Sequence, residues 1–169
     1  AADNTFVVNG VEEGCSSVFS INGMQNQVSI YNTMVTEFPA TVSHNIFQFN
    51  NLLAPVLVSG VSVTNSTSSH LFDIHDCFSG VTLDNVTTGT MTSSVTGVYI
   101  GIETQTSTVF ISDFTMINGA FGILAQTEMT SVHVTNSWFS GTTTSIYMTD
   151  GAQVNASLVK ITSSSTNTG

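Results

Sequence analysis

The stretch Val81-Thr82-Leu83-Asp84-Asn85 decides the fold, because its pattern recurs along the chain. The pattern is an apolar residue, any residue, a second apolar residue, any residue, and then Asn or Asp. Further copies of it begin at Val28, Val61, Val109 and Val132. A sixth copy, residues 154–158, keeps the alternation but ends in Leu. A phrase that returns at a roughly constant interval predicts a stack of similar structural units.

A second row of apolar runs follows the first row with the same period. These runs begin at Ile46, Leu71, Val98, Ile123 and Ile146. Successive starts are therefore 25, 27, 25 and 23 residues apart. Two rows with one period predict a chain that winds round and places each strand beside its equivalent one turn later, in parallel. We predict an all-β fold, a parallel β-helix of about six to seven coils of about 25 residues each.

The five-residue pattern also predicts which side chains face the interior. In an extended strand alternate residues share a face, so Val81 and Leu83 point inward and Thr82 and Asp84 point outward. Asn85 falls where the strand must turn, and Asn tolerates the left-handed backbone that a corner needs. We expect an internal ladder of corner residues, formed by Asn32, Asn65, Asn85, Asp113 and Asn136.

Two of these repeats resemble the coils of right-handed parallel β-helices in the pectin-lyase-like superfamily. They are Val109-Phe-Ile-Ser-Asp-Phe-Thr-Met-Ile-Asn-Gly-Ala-Phe-Gly-Ile-Leu and Val132-His-Val-Thr-Asn-Ser-Trp-Phe-Ser-Gly, the latter followed by Ser-Ile-Tyr-Met. The resemblance covers roughly residues 27–162 and implies a right-handed helix with stacked corner Asn residues. It implies no single activity, because that superfamily includes lyases, hydrolases, tailspikes, adhesins and inert structural domains.

The chain divides into three parts on these patterns. Residues 1–27 are predicted to form a first coil or cap, residues 28–162 the β-helix, and residues 163–169 a Ser/Thr-rich tail or linker stub. Val159, Lys160 and Ile161 run into that tail without a capping pattern. Because open coil ends expose strand edges and an apolar interior, we expect the next coil to come from another molecule or from a longer chain.

The charge of the chain excludes several classes of partner. It has 11 acidic residues, and Lys160 is its one Lys or Arg, for a net charge of −10. Nucleic acids and anionic lipid surfaces need basic residues, so we expect neither as a partner. No apolar run approaches the length of about 20 residues that a membrane helix needs, so we expect no membrane insertion.

Several features favour secretion, to the cell surface or the medium. Ala1-Ala2-Asp3 suits a mature end left by signal cleavage, and three N-glycosylation sequons begin at Asn65, Asn85 and Asn155. Asn155 is out of phase with the corner residues and faces outward, so it is our first choice for a glycan. Asn65 and Asn85 are less favourable, because a ladder would commit their side chains to backbone amides.

The two cysteines, Cys15 and Cys77, leave two interpretations open: one disulfide or two buried thiols. A secreted protein favours the disulfide.

Catalysis lacks the residues that the resemblance would require. Pectate lyases of this kind use an Arg base and polygalacturonases use paired Asp residues, and this chain has no Arg and no Asp-Asp pair. Stacking could still bring together Asp84 with Asp113, or Glu103 with Glu128, within the roughly 5 to 9.5 Å that glycoside hydrolysis needs. Since acidic residues spread over six coils often become neighbours, we expect no enzyme activity and assign no catalytic residue.

Metal binding is a further candidate role. His70, His75, Asp76 and Cys77 resemble a row of ligands, but strand alternation separates His75 and Cys77 from Asp76, which favours a structural role. Asp73, Asp76 and Asp84 are weak Ca²⁺ candidates. We expect no other cofactor.

Three functions remain in view. The first is a structural or adhesive protein of a filament, surface layer or matrix, which joins copies of itself or similar β-helix domains end to end. The second is a protein that binds or acts on neutral polysaccharides, with Trp138 as the candidate for sugar stacking. The third is ice binding, which needs an aligned Thr row, whereas Glu103 and Glu128 interrupt the rows here. The absent catalytic residues and the hydroxyl-rich surface favour the first.

Overall fold

The structure is a computed structural model that describes the backbone of residues 6–9 and residues 17–36, 45–64, 68–101, 108–127 and 130–162 in full. The strands are β1 Phe6–Asn9, β2 Ser17–Asn22, β3 Val28–Thr36, β4 Asn45–Leu52, β5 Val56–Thr64, β6 His70–Cys77, β7 Val81–Thr90, β8 Thr96–Ile100, β9 Thr108–Gln126, β10 Ser131–Thr135, β11 Trp138–Thr149, β12 Gln153–Ser157 and β13 Lys160–Thr162.

The strands stack in parallel as a β-solenoid. One row runs β1-β3-β5-β7-β9 and the other β2-β4-β6-β8-β9, and the long strand β9 belongs to both. The later strands β10 to β13 continue the stack beyond β9. The predicted all-β parallel coil is therefore confirmed.

A column of six valines counts the turns. In register from coil to coil lie Val28, Val56, Val81, Val109, Val132 and Val154. Six equivalent positions enclose five full turns, somewhat fewer than the six to seven coils that we predicted. The strands β1 and β2 fall within the predicted first coil or cap, and they pair in parallel with β3 and β4.

Aromatic rings stack inside the second row. Phe19, Phe47 and Phe72 are in register. The ring centroid of Phe47 lies 5.0 Å from that of Phe19 and 4.9 Å from that of Phe72, and the interplanar angles are 4° and 10° respectively. Ile123 and Ile146 continue the same column in later coils. Phe47 thus packs on its equivalents in both neighbouring coils, so its burial depends on both of them.

Each coil turns the same corner with a left-handed residue. In register along the corner lie Asn32 (φ 50°), Gly60 (φ 71°), Asn85 (φ 51°), Asp113 (φ 50°), Asn136 (φ 47°) and Leu158 (φ 54°). Asn, Asp and Gly tolerate this backbone better than other residues do. We call these six residues the corner column. Their side chains meet along it: a Cβ on Gly60 would lie 2.7 Å from Asn32 Oδ1.

Two details of the predicted ladder need correction. The second repeat begins at Val56 and not at Val61, and its corner residue is Gly60, which a search for Asn overlooks. Asn65 lies outside the described residues.

The side chains of the ladder also face outward. Asn32, Asn85, Asp113 and Asn136 are all exposed, and the residue after each of them is buried. The left-handed residue interrupts the in-out alternation of the strand. The buried position that we expected at the corner residue is therefore occupied by the residue that follows it.

Candidate functional site

A polar cluster crosses the outer face of the second row, on four neighbouring strands. Its members are Asn45 of β4, His70, Asp73 and His75 of β6, Tyr99 of β8 and Gln126 of β9. Strand register places His70 beside Asn45, and Tyr99 beside Asp73. Four of these side chains, His70, Asp73, His75 and Tyr99, are titratable.

The centre of the polar cluster is a buried carboxylate. Asp73 is 4% exposed, although it lies on the outer face. Asn45 Nδ2 donates a hydrogen bond to Asp73 Oδ2 at 2.5 Å, and His75 Nε2 lies 2.7 Å from Asp73 Oδ1. His70 Nδ1 lies 3.0 Å from Asn45 Oδ1. Oδ2 therefore accepts a hydrogen bond, whereas Oδ1 is buried and has only the short contact with His75 Nε2, which lacks hydrogen-bond geometry.

Tyr99 covers the two histidines from the next coil. Its ring stacks on His70 with centroids 4.7 Å apart and is tilted against His75 at 5.3 Å. Its hydroxyl donates to Gln126 Oε1 at 3.1 Å. The polar cluster is thus a hydrogen-bonded and stacked network that links four strands.

Burial decides the protonation of two members of this network. Burial lowers the pKa of His70, while the charge of Asp73 partly opposes that shift and His75 adds to it. Burial raises the pKa of Tyr99, and the negative charge of Asp73 raises it further. The neutral imidazole form of His70 is therefore favoured, and a neutral ring fits a structural hydrogen-bond network.

The Ca²⁺ candidates do not converge. Asp73 and Asp76 belong to β6, whereas Asp84 belongs to β7, which lies in the other row. Asp76 is a corner residue with φ 48°. In the part of the chain that the structure describes, no three His, Cys, Asp or Glu residues are placed to hold a metal ion together.

Asp84 and Asp113, the candidate carboxylate pair, form hydrogen bonds with different partners. Ser59 Oγ donates to Asp84 Oδ2 at 3.2 Å and Ser112 Oγ to Asp84 Oδ1 at 2.5 Å. Asp113 accepts a hydrogen bond from Asn136, its neighbour in the corner column. Glu103 and Glu128 lie outside the described residues.

Cys77 carries a free, buried thiol in this structure. Its Sγ lies 3.4 Å from the carbonyl oxygen of His75, and burial raises its pKa to about 12. Cys15 lies outside the described residues, so the choice between a disulfide and two buried thiols stays as the sequence left it.

Two of the three sequons are open to solvent in the described part of the chain. Asn155 and Asn85 are both exposed. Asn85 owes its exposure to the corner geometry, so the reason for ranking it below Asn155 no longer holds.

Trp138, the candidate for sugar stacking, has local partners. Lys160 Nζ lies 5.2 Å from its ring centroid, and its Nε1 donates to Thr162 Oγ1 at 3.1 Å. The ring therefore serves the contact between β11 and β13. The Thr rows are no flat exposed surface where they are described, since Thr127 and Thr130 are buried.

The last described coil differs from all others. We call β12, Leu158, Val159 and β13 the terminal coil. Every residue of β12 and β13 is exposed, and so are three large apolar side chains: Val154 (46%), Leu158 (82%) and Ile161 (60%). Within the described residues β12 pairs only with β10 and β13 only with β11. Considering only the described strands, the terminal coil thus presents a strand edge without a partner and exposed apolar side chains.

Sequence reasoning named Val159, Lys160 and Ile161 at this end but did not pick out Val154 or Leu158. The signal was present in the sixth repeat, where Leu158 replaces the corner Asn. An apolar residue in a left-handed, exposed position serves no purpose in an isolated coil, so this substitution was the available clue.

Comparison with known proteins found no family model, no curated protein and no solved structure that matches this chain. Among the residues described, no helix is long and apolar enough to cross a membrane.

Proposed function

We propose that this protein is a secreted structural or adhesive β-solenoid, which builds an extracellular filament, surface layer or matrix by joining coil ends. The observation that carries the proposal is the terminal coil, where Val154, Leu158 and Ile161 are exposed together. A strand edge beside open apolar surface is a template for another β-strand.

The rest of the molecule supports a structural role. The polar cluster and the hydrogen bonds to Asp84 join adjacent coils. The side chains of Asp73 and Asp84 therefore serve cohesion between coils. The proposal includes an extracellular location, a right-handed helix of the pectin-lyase-like type, and no enzymatic activity.

Blocking the terminal coil tests this proposal. In the variant Val154→Lys/Ile161→Lys, charged side chains replace two exposed apolar ones, a device by which natural proteins prevent edge pairing. The matched control is Thr87→Lys/Thr135→Lys, which makes the same charge change at exposed positions on the side of the solenoid.

Sedimentation velocity over a concentration series gives the readout. We expect the wild type and the control to form oligomers whose size grows with concentration, and the blocked variant to remain monomeric. If the wild type sediments as a monomer throughout, or if the blocked variant associates as the wild type does, the proposal is wrong.

A further inference from the structure

The two ends of the solenoid carry strands that fit one another. At the first end, β1 pairs with β3 alone among the described strands, with Val8 in register with Val35. At the last end, β13 pairs with β11 alone, with Ile161 in register with Phe139. As far as the described strands go, each of the two has one edge without a partner on the same row, and those edges face opposite ways along the stack.

A buried column runs along this row from β3 to β11. Near the first end it contains Val35 and Val63, and near the last end Met116 and Phe139, all fully buried. Val8 occupies the position before Val35, and Ile161 the position after Phe139. Stacking a second copy in the same parallel register would set Lys160, Ile161 and Thr162 beside Val7, Val8 and Asn9 of that copy, and would continue the column across the junction.

Charge favours this head-to-tail arrangement over two last ends meeting each other. The terminal coil contains Lys160, the chain's one Lys or Arg, at an exposed position. Two last ends would bring Lys160 towards its own copy, and like charges repel across an interface.

We propose that the terminal coil takes the first end of a second copy of this chain, in register and head to tail, with β13 pairing in parallel with β1. This inference rests on the proposed function and adds the partner, the polarity and the register to it. Because the two surfaces differ, the contact is heterologous and repeats at every free end, which generates an open polar filament.

Two blocked variants test the polarity. Val8→Lys alters the first end only and Ile161→Lys the last end only; each should raise the concentration for half-maximal association about tenfold or more. Mixed in equal amounts, they should form a 1:1 dimer, because the intact last end of one meets the intact first end of the other. If Val8→Lys alone still forms dimers like the wild type, or the mixture stays monomeric, the head-to-tail junction is wrong.

A cross-linking experiment covers the case in which Val8→Lys fails to fold. In a Cys15→Ser background, Asn9→Cys together with Thr162→Cys should give a ladder of covalent multimers under mild oxidation. Covalent dimers from Thr162→Cys alone, at the yield of the double variant, would overturn head-to-tail stacking while leaving end-to-end association intact. A wild type that never associates would instead remove the proposed function itself.

Discussion

The middle coils and the terminal coil repeat the same pattern of apolar residues, but only the middle coils bury those side chains. Val81 and Val154 hold equivalent positions in the valine column, but Val81 is fully buried and Val154 is 46% exposed. Phe139 and Ile161 differ in the same way. Because a solenoid coil contacts only its neighbours, each coil buries its apolar side chains only when another coil lies on both sides.

The largest effect is expected in the aromatic stack of the middle coils. Phe47→Ala removes a fully buried ring between Phe19 and Phe72, so it should lower the free energy of unfolding by about 3–5 kcal/mol. Phe110→Ala, on the exposed outer face, is the control and should lower it by less than about 1 kcal/mol. Urea denaturation measures both. Equal losses would mean that the ring stack does not hold the coils together.

In the valine column the same Val→Ala substitution can be made in a middle coil and in the terminal coil, and the losses in stability compared. Val81→Ala should lower the free energy of unfolding by about 2 kcal/mol, and Val154→Ala by less than about 1 kcal/mol, since Val154 buries less surface. The measurement is urea denaturation at a concentration where the chain is monomeric. A loss at Val154 as large as the loss at Val81 would show that another surface covers the terminal coil.

The corner column gives a smaller effect of the opposite sign. Leu158 adopts φ 54°, which costs a residue with a Cβ about 1 kcal/mol or more. Leu158→Asn should therefore stabilise the monomer by up to about 1 kcal/mol, because Asn tolerates this backbone.

Leu53→Asn is the matched control for that substitution. It removes an exposed leucine that is not a left-handed residue, so it should bring no gain in thermal denaturation. If Leu158→Asn and Leu53→Asn shift the melting temperature equally, the backbone at the corner is not strained.

The smallest effect concerns pH and belongs to the middle coils alone. Burial lowers the pKa of His70 in the folded chain, so the unfolded chain takes up this proton first as the pH falls. The contribution of neutral His70 to stability is therefore complete above pH 6.5 and is lost as the pH falls through 6.5 towards the lower folded pKa. The titratable groups that face His70 are Asp73, His75 and Tyr99.

The variant His70→Gln isolates that contribution. Its stability should fall less than that of the wild type between pH 7.5 and pH 5.5, as measured by urea denaturation at each pH. Parallel losses in the two proteins would show that His70 titrates alike in the folded and unfolded chains.

The sequence predicted the parallel coil, but it did not predict how the corner residue affects the register and the inward-facing positions. The recurring valines and the five-residue pattern indicated parallel stacking, and the sixth copy at residues 154–158 proved to be in register. The copy at Val61 was out of register because Gly60 performs the corner role of Asn. Alternation alone could not show that a left-handed residue changes the inward phase.

The candidate sites depended on neighbours from other coils, which a linear pattern does not contain. His70 and His75 were visible as a short motif, but their contacts with Asn45 and Tyr99 arise from register across three strands. The exposure of Val154 was likewise hidden, because its pattern is that of the buried residues in the valine column.

Electron microscopy of the purified chain over a concentration series tests the central claim most directly. Parallel strands lie about 4.8 Å apart and the row from β1 to β13 holds seven strands, so head-to-tail stacking predicts a subunit repeat of about 34 Å. We expect unbranched filaments with a 4.8 Å strand spacing and a subunit repeat near that length. Single particles of one chain at every concentration up to about 1 mM would contradict end-to-end assembly.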